Sequence, residues 1–397
     1  DWFIDDLQEV IFDENLKDLP NRVLFSKKTM EQRVGVKFCS SWSEIEHEIL
    51  GPISEEEIET IASTTVHQKI KNIHTVGGRG NSGVYKITLH DNTKAALKIY
   101  SNNEGHNRLN SEYNGSTLIT EMGINQIPKP LTCNHDLNCA AFEWIEGKLI
   151  EHPTKENLDQ SLMLLNKLHN VRNLKVFSSF PRASAACFSG IDIELQLKRR
   201  FKKLHEQGKM KGDVKSYIYN ELEPFIEEMI VWSKEKWSEF DDFERVLTQE
   251  DLTLSPSDFG FHNALEKASG EIIFHDFEYF GWDDPVKLIV DFSLHPGMNL
   301  NENLLRKWFQ GTFKIYGKKL LPKLLAAWPL YALCWVLICL NEFLPDVWRR
   351  RTLADPSKLN EKELVLEKQL SASKRLLSVI KNNYERNSII GASEIYV

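Results

Sequence analysis

Apolar positions fall into three regimes along the chain. From residue 70 to about 145 they alternate with polar ones at the strand period, interrupted by one helix-like stretch over 107–122. From Asn157 onward helical spacing dominates, except over 252–282, where two short apolar runs flank polar loops. Before residue 50, the runs Arg22-Val23-Leu24-Phe25 and 34–38 are β-rich and follow an acidic, helix-like start, a pattern resembling the tail of an α/β unit. Residues 44–50 and 55–70 then carry helical spacing, with Ser54 and Glu57 forming a capping-box signature. The pattern divides the chain into an α/β fragment (1–50), a helical connector (51–69), a β-rich lobe (70–147) and a helical lobe (148–397). The expected class is α+β with two main lobes.

Residues 324–340 hold 17 positions without a charge, just inside the lower limit for a membrane span. The expectation is a buried core helix, because the segment is isolated and precedes a charged, helix-like tail.

Composition narrows the partners. The 397 residues include 49 Lys and Arg against 57 Asp and Glu, a net charge of −8, which argues against a nucleic-acid or anionic-membrane surface. A small molecule is the better default. The six cysteines are scattered with no C-x-x-C pair, as expected of reduced thiols, and the acidic opening residues carry no export signal, so a cytoplasmic location is expected. The opening without methionine reads as that of a trimmed chain.

Chemistry enters at Gly78-Arg79-Gly80-Asn81-Ser82-Gly83, a G-x-G-x-x-G run. A dinucleotide site needs a helix to start inside such a run, whereas here a strand-like segment and an Asp91-Asn92 turn follow, so the loop bridges two strands. Glycines there let backbone N–H groups approach phosphate oxygens. Lys98 lies among apolar neighbours in Ala95-Ala96-Leu97-Lys98-Ile99-Tyr100, like the phosphate-pairing lysine of a V-A-I-K strand, and Glu112 on the next helix-like stretch is its expected ion-pair partner. Farther on, Asp258 and Asn263 have D-x-x-x-x-N spacing, and Asp276 closes a short apolar strand 13 residues later. In a phosphotransfer loop of that kind one carboxylate takes the acceptor hydroxyl's proton, while the amide and the second carboxylate hold magnesium.

With these pieces in order, the sequence resembles the aminoglycoside phosphotransferase and choline kinase family, which has the protein-kinase fold. The likeness runs over residues 70–341 and includes the helix end Leu165-Asn166-Lys167-Leu168-His169, the run Phe142 to Gly147, and Asp284-Pro285 with Asp291-Phe292. It implies ATP and Mg2+ as cofactors, Asp258 as catalytic base, Asn263 and Asp276 as metal ligands, and Lys98 as phosphate anchor. Gly78, Gly80, Ser82 and Gly83 become the phosphate loop, and Glu143, Trp144 and Ile145 the adenine-binding hinge. Two positions depart from the family: Pro256-Ser257 stand where His-Gly is usual, and Phe277-Glu278 follow Asp276. His262, beside Asn263, is expected to be structural.

The start of the chain, Phe3-Ile4-Asp5-Asp6-Leu7 with Arg22 to Phe25, looks like the last acidic motif and closing strand of a haloacid-dehalogenase-type phosphatase. In that family the nucleophilic aspartate, the Ser/Thr motif and the lysine motif come earlier in the chain, so the stretch is expected to be an inert or truncated remnant with a solvated acid pair. Fusions of this kind resemble proteins of surface-polysaccharide biosynthesis, which favours a sugar or related polyol as the hydroxyl acceptor. A catalytically silent, nucleotide-binding scaffold is the alternative. A protein kinase is disfavoured because no A-P-E motif follows Asp276. Lys198, Arg199, Arg200, Lys202 and Lys203 read as a solvated helix face, and Arg349-Arg350-Arg351 as a cap on the preceding apolar helix. Trp282, Trp328, Trp335 and Trp348 read as core, though one could stack on a sugar ring. Oligomeric state is not legible.

Overall fold

Strand alternation in the β-rich lobe sorts its side chains onto two faces. A computed structural model describes residues 2–16, 19, 22–26, 36–39, 42, 45, 54–77, 82–100, 106–208, 210, 212–354 and 361–384. Strands β4 (Ile70–Gly77), β5 (Ser82–Leu89), β6 (Lys94–Tyr100), β7 (Pro130–Asn134) and β8 (Cys139–Glu143) form an antiparallel sheet of order β4-β5-β6-β8-β7. On β6, Ala95, Leu97 and Ile99 pack with Ile58 and Ala62 of a helix lying on that face. The period of two then turns Lys98 and Tyr100 to the opposite face, where the site lies.

The covering helix, Glu55–Val66, opens with the expected capping box, in which Ser54 accepts from Glu57 N–H and Glu57 accepts from Ser54 N–H. Ahead of it, strands β1 (Phe3–Asp5), β2 (Arg22–Phe25) and β3 (Val36–Cys39) form a parallel sheet of order β1-β2-β3. The expected helical run over 44–50 lies almost wholly outside the described residues.

The second lobe is helical. Its helices, numbered in chain order with short helix Gln8–Ile11 as α1, Glu55–Val66 as α2 and Gly115–Glu121 as α3, are α4 (Lys155–Val171), α5 (Gly190–Gln207), α6 (Gly212–Tyr217), α7 (Glu223–Ser238), α8 (Pro285–Leu294), α9 (Glu302–Tyr316), α10 (Leu321–Cys339), α11 (Pro345–Ala354) and α12 (Lys362–Asn383). Helix α10 is apolar all round because α5, α7, α8 and α12 pack against it. Among the described residues it belongs to the one segment long and apolar enough to cross a membrane, Lys318–Cys339, of which 72% of the most apolar window is buried.

The second lobe also holds short strands, packed into its helical core. Strands β9 (Lys148–Leu149), β11 (Ala264–Glu266) and β12 (Ile272–Phe274) form a sheet of order β12-β11-β9, while β10 (Thr253–Ser255) pairs with β13 (Gly281–Asp283). Asp284 caps α8 by accepting from Val286 N–H, and Pro285 occupies its first turn, where a missing N–H costs nothing.

The arginine run after α10 differs from expectation. Arg349 and Arg351 belong to the separate helix α11, where Arg349 donates to the Phe38 carbonyl of β3 and Arg351 to Glu342. The chain turns after α10, so these two side chains meet other elements instead of that helix's last carbonyls. Trp282, Trp328 and Trp348 are buried as expected, whereas Trp335 is only half-buried.

Candidate active site

Lys98 is the centre of a buried ionic cluster. Its ammonium lies 2.7 Å from Glu112 Oε2, ion-pairs with Asp276, and stands 3.4 Å from Glu278 Oε2. Burial alone would pull this ammonium down, but Glu112, Asp276 and Glu278 together hold it well above the ordinary lysine value. Glu112 is pushed up by burial against the opposing pull of Lys98, and it is held by Tyr100 Oη–H at 2.8 Å and Phe277 N–H at 3.2 Å. The segment bearing Glu112 is a single π-helical turn, Asn110–Asn114, preceding α3. Such turns are commonest at functional sites.

Glu278 completes the cluster. It accepts from Ser82 Oγ–H at 2.8 Å and lies 3.9 Å from Arg108, so the first residue of β5 is tied to the segment after β12. Of the glycine run, Ser82 and Gly83 begin β5, and Gly78 and Gly80 lie outside the described residues.

Asp258 and Asn263 arise from the loop between β10 and β11. The Asn263 side-chain amide donates to the Asp258 carbonyl at 2.9 Å and to its Oδ2 at 3.3 Å, and His262 Nε2 lies 3.0 Å from Asp258 Oδ1. Burial raises the Asp258 carboxyl, yet the His262 hydrogen bond, the neighbouring imidazoles and the Asn263 amide bring it below its usual value. The antiparallel pairing of Ala264 with Phe274 continues as a His275 N–H bond to the Asn263 carbonyl at 2.9 Å. Asn263 and Asp276 therefore flank the open end of one ladder. Ser257 and Asp276 both have left-handed backbones, φ 67° and 68°, a conformation short polar side chains tolerate best.

A magnesium ion fits this donor set. The Asn263 amide and the Asp276 carboxylate are hard oxygen donors, and Asp276, whose side chain is 33% exposed, already attracts a cation in Lys98.

At the expected hinge, Glu143 ends β8 with its N–H bonded to the Lys129 carbonyl at 2.8 Å. The Trp144 ring lies 4.4 Å from the Lys86 ammonium, and Ile145 is buried. Of the residues singled out in the sequence, Lys98, Glu112 and Asp276 meet in one cluster, and Asp258 and Asn263 meet in the loop beside it. The sequence reading missed Glu278 and His295 as parts of the site; the Asp-x-Glu spacing of Asp276 and Glu278 was the available signal for the first.

No protein-family model matches the chain, and neither does any curated protein. Solved structures do match. Spectinomycin phosphotransferase, solved in complex with ADP and spectinomycin, aligns at a TM-score of 0.56 and 11% identity over 82% of this chain and 99% of its own. Choline kinase LicA from Streptococcus pneumoniae aligns at 0.53 and 13% identity over 82% and 99%, and the gentamicin complex of APH(2")-IIa at 0.51 and 13% over 81% and 96%. The chain has their fold. In this kinase-like fold the β-rich lobe carries Lys98, the second lobe carries Asp258, Asn263 and Asp276, and the Lys98 ion pairs with Asp276 and Glu278 join the two.

Proposed function

We propose that the chain is a kinase of small molecules, transferring the γ-phosphate of ATP to a hydroxyl of a sugar or related polyol. The observation that carries this reading is the convergence of Lys98 with Asp276, 178 positions apart in sequence, next to the hydrogen-bonded pair Asp258 and Asn263. Lys98, oriented by Glu112, anchors the phosphates through charge-assisted contacts. Ser82, Gly83 and the preceding glycine run cover them, and the backbone of Glu143, Trp144 and Ile145 receives the adenine. Asp258 orients the acceptor hydroxyl and takes its proton as the oxygen attacks phosphorus. Its side chain is 42% exposed, which leaves it open to an incoming acceptor. Magnesium, held by Asn263 and Asp276, would neutralise phosphate charge.

A sugar-like acceptor is supported by the half-buried Trp335, whose ring lies edge-on to His295 at 5.1 Å. His295 in turn brings a ring nitrogen within 4.8 Å of Asp258. A flat indole separated from a hydroxyl-activating carboxylate by one imidazole suits a sugar face. The fold-related structures named above include proteins solved with spectinomycin or gentamicin.

The test is a panel of hydroxyl compounds, including sugars, choline and aminoglycosides, assayed for ADP release with ATP and magnesium. Transfer to a sugar and none to choline or an aminoglycoside supports the reading. Tight nucleotide binding with no transfer above the background of Asp258→Asn overturns it in favour of a silent scaffold.

A further inference from the structure

The position where the related kinases usually have histidine, two residues before the catalytic aspartate, is Pro256 here, yet an imidazole reaches Asp258 from the other side. His262 Nε2 lies 3.0 Å from Asp258 Oδ1, and the His262 side chain is only 8% exposed. Its other nitrogen, Nδ1, is buried and has no hydrogen-bond partner among the described residues. A buried N–H left unmatched costs more than an unfilled lone pair, so the proton sits on Nε2 and is donated to the carboxylate. Gly260 makes this packing possible, since a Cβ there would stand 2.8 Å from the His262 ring.

The ring is braced from behind. His295 stacks on it with centroids 3.7 Å apart and planes 13° from parallel. The Gly297 N–H donates to His295 Nδ1 at 3.0 Å, which fixes that residue too as the Nε2–H tautomer. Behind His295 stands Trp335, edge-on, anchored by its indole N–H to Asp291 Oδ1 at 2.8 Å, and Asp291 is held by Lys287 at 2.6 Å. A chain of contacts therefore runs from α8 and α10 to the carboxylate.

Asp258, His262 and His295 lie close enough together to suggest a metal triad. The tautomers argue otherwise. A ligating histidine donates its remaining N–H to an acceptor, whereas the His295 Nδ1 itself accepts and the His262 Nδ1 meets no acceptor among the described residues. Of the two rings, His262 is the one placed to donate to Asp258.

We propose that His262 is a positioning residue for Asp258, an inference that rests on the kinase reading above. Its Nε2–H holds Oδ1 while the Asn263 amide restrains Oδ2, so both oxygens of the carboxylate are held in place. The proline-serine departure is thereby compensated from within the loop itself.

His262→Phe keeps the ring stack and removes the donor, and His262→Gln restores an amide donor. The Phe variant should lower kcat by roughly 10–10²-fold, the scale of a misplaced reacting group, with KM for ATP and the melting temperature unchanged, and Gln should recover most of the loss. Wild-type turnover in the Phe variant overturns the proposal, as does a parallel loss of nucleotide affinity and melting temperature in both variants. A second readout needs no turnover: the 13Cγ resonance of Asp258, assigned by its disappearance in Asp258→Asn. Its displacement in His262→Phe and return in His262→Gln supports the hydrogen bond, and an unmoved resonance overturns it. Failure of wild-type protein to phosphorylate any acceptor defeats the kinase reading alone, because the resonance still decides the role of His262.

Discussion

Asp276 and Asp258 are the same residue type in the same stretch of chain, and the fold gives them opposite company. Asp276 shares a cluster with Glu112 and Glu278 around the single ammonium of Lys98, with Arg108 at its edge, so its surroundings are ionic. Asp258 meets hydrogen-bond donors, His262 and Asn263, and no lysine or arginine ion-pairs with it among the described residues. A carboxylate poised among cations and anions suits the holding of charge, either an ammonium or a metal-phosphate assembly. One held by directional donors keeps its charge available for a proton. The difference shows that identity as an acid does not assign a role; the partners do.

The largest expected effect follows from the proton-taking side. Asp258→Asn should cut turnover by about 10²–10⁴-fold, the usual range for a positioned acid or base, while ATP binding measured by calorimetry stays as in wild type. Equal losses of turnover and of ATP affinity would erase the contrast between the two aspartates.

On the charge-holding side, Lys98→Ala leaves Glu112 and Glu278 buried without their main cation. Breaking a buried pair in this way costs about 3–5 kcal/mol, to be read from urea unfolding, together with weakened ATP binding. Unchanged stability would mean that the cluster is not the tight unit the distances describe. Asp276→Asn should be milder for the fold, because Glu112 remains on Lys98 at 2.7 Å. It should lower turnover and also weaken magnesium-dependent nucleotide binding. Nucleotide affinity that responds to magnesium as in wild type would take Asp276 out of the metal site.

The smallest effect is in the pH dependence of stability. Asp258 has a carboxyl depressed in the folded state, so it contributes stability above the ordinary aspartate value of about 3.9, lost as pH falls through its lower folded value. Replacing it by Asn should flatten that part of the acid limb in urea titrations between neutral pH and pH about 3. Glu112, raised by burial, carries the opposite sign: its share is full at low pH and fades as pH rises through the folded value. An acid limb unaltered in Asp258→Asn would show that the two acids are not differently held.

Much of this site was legible because each local segment announced itself. The strand period around Lys98, the four-residue gap between Asp258 and Asn263, and the apolar run before Asp276 are properties of short stretches, and the structure keeps all three. Glu278 was less visible because the Ser82 hydroxyl that it accepts from lies 196 positions away. His262 was expected to be structural, since nothing in the sequence shows which group its ring meets; the hydrogen bond to Asp258 and the stack on His295 give its direction. Arg349 and Arg351 were misjudged because a run of like charges does not tell where the helix bearing it turns.

By itself, then, the sequence determined which side of each element every chemical group would take, because periods of 2 and 3.6 are imposed by backbone geometry and need only neighbours in the chain. It also determined the α+β class and the burial of α10, whose uncharged run from Leu324 onward left it no stable place at the surface. Only the tertiary structure decided which carboxylate meets Lys98 and which meets an imidazole. The Lys98–Asp276 pair joins residues brought together by the packing of one lobe on the other, the Asp258–His262 contact depends on the loop shape that the His295 stack braces, and electrostatic and hydrogen-bond energies fall off within a few ångströms.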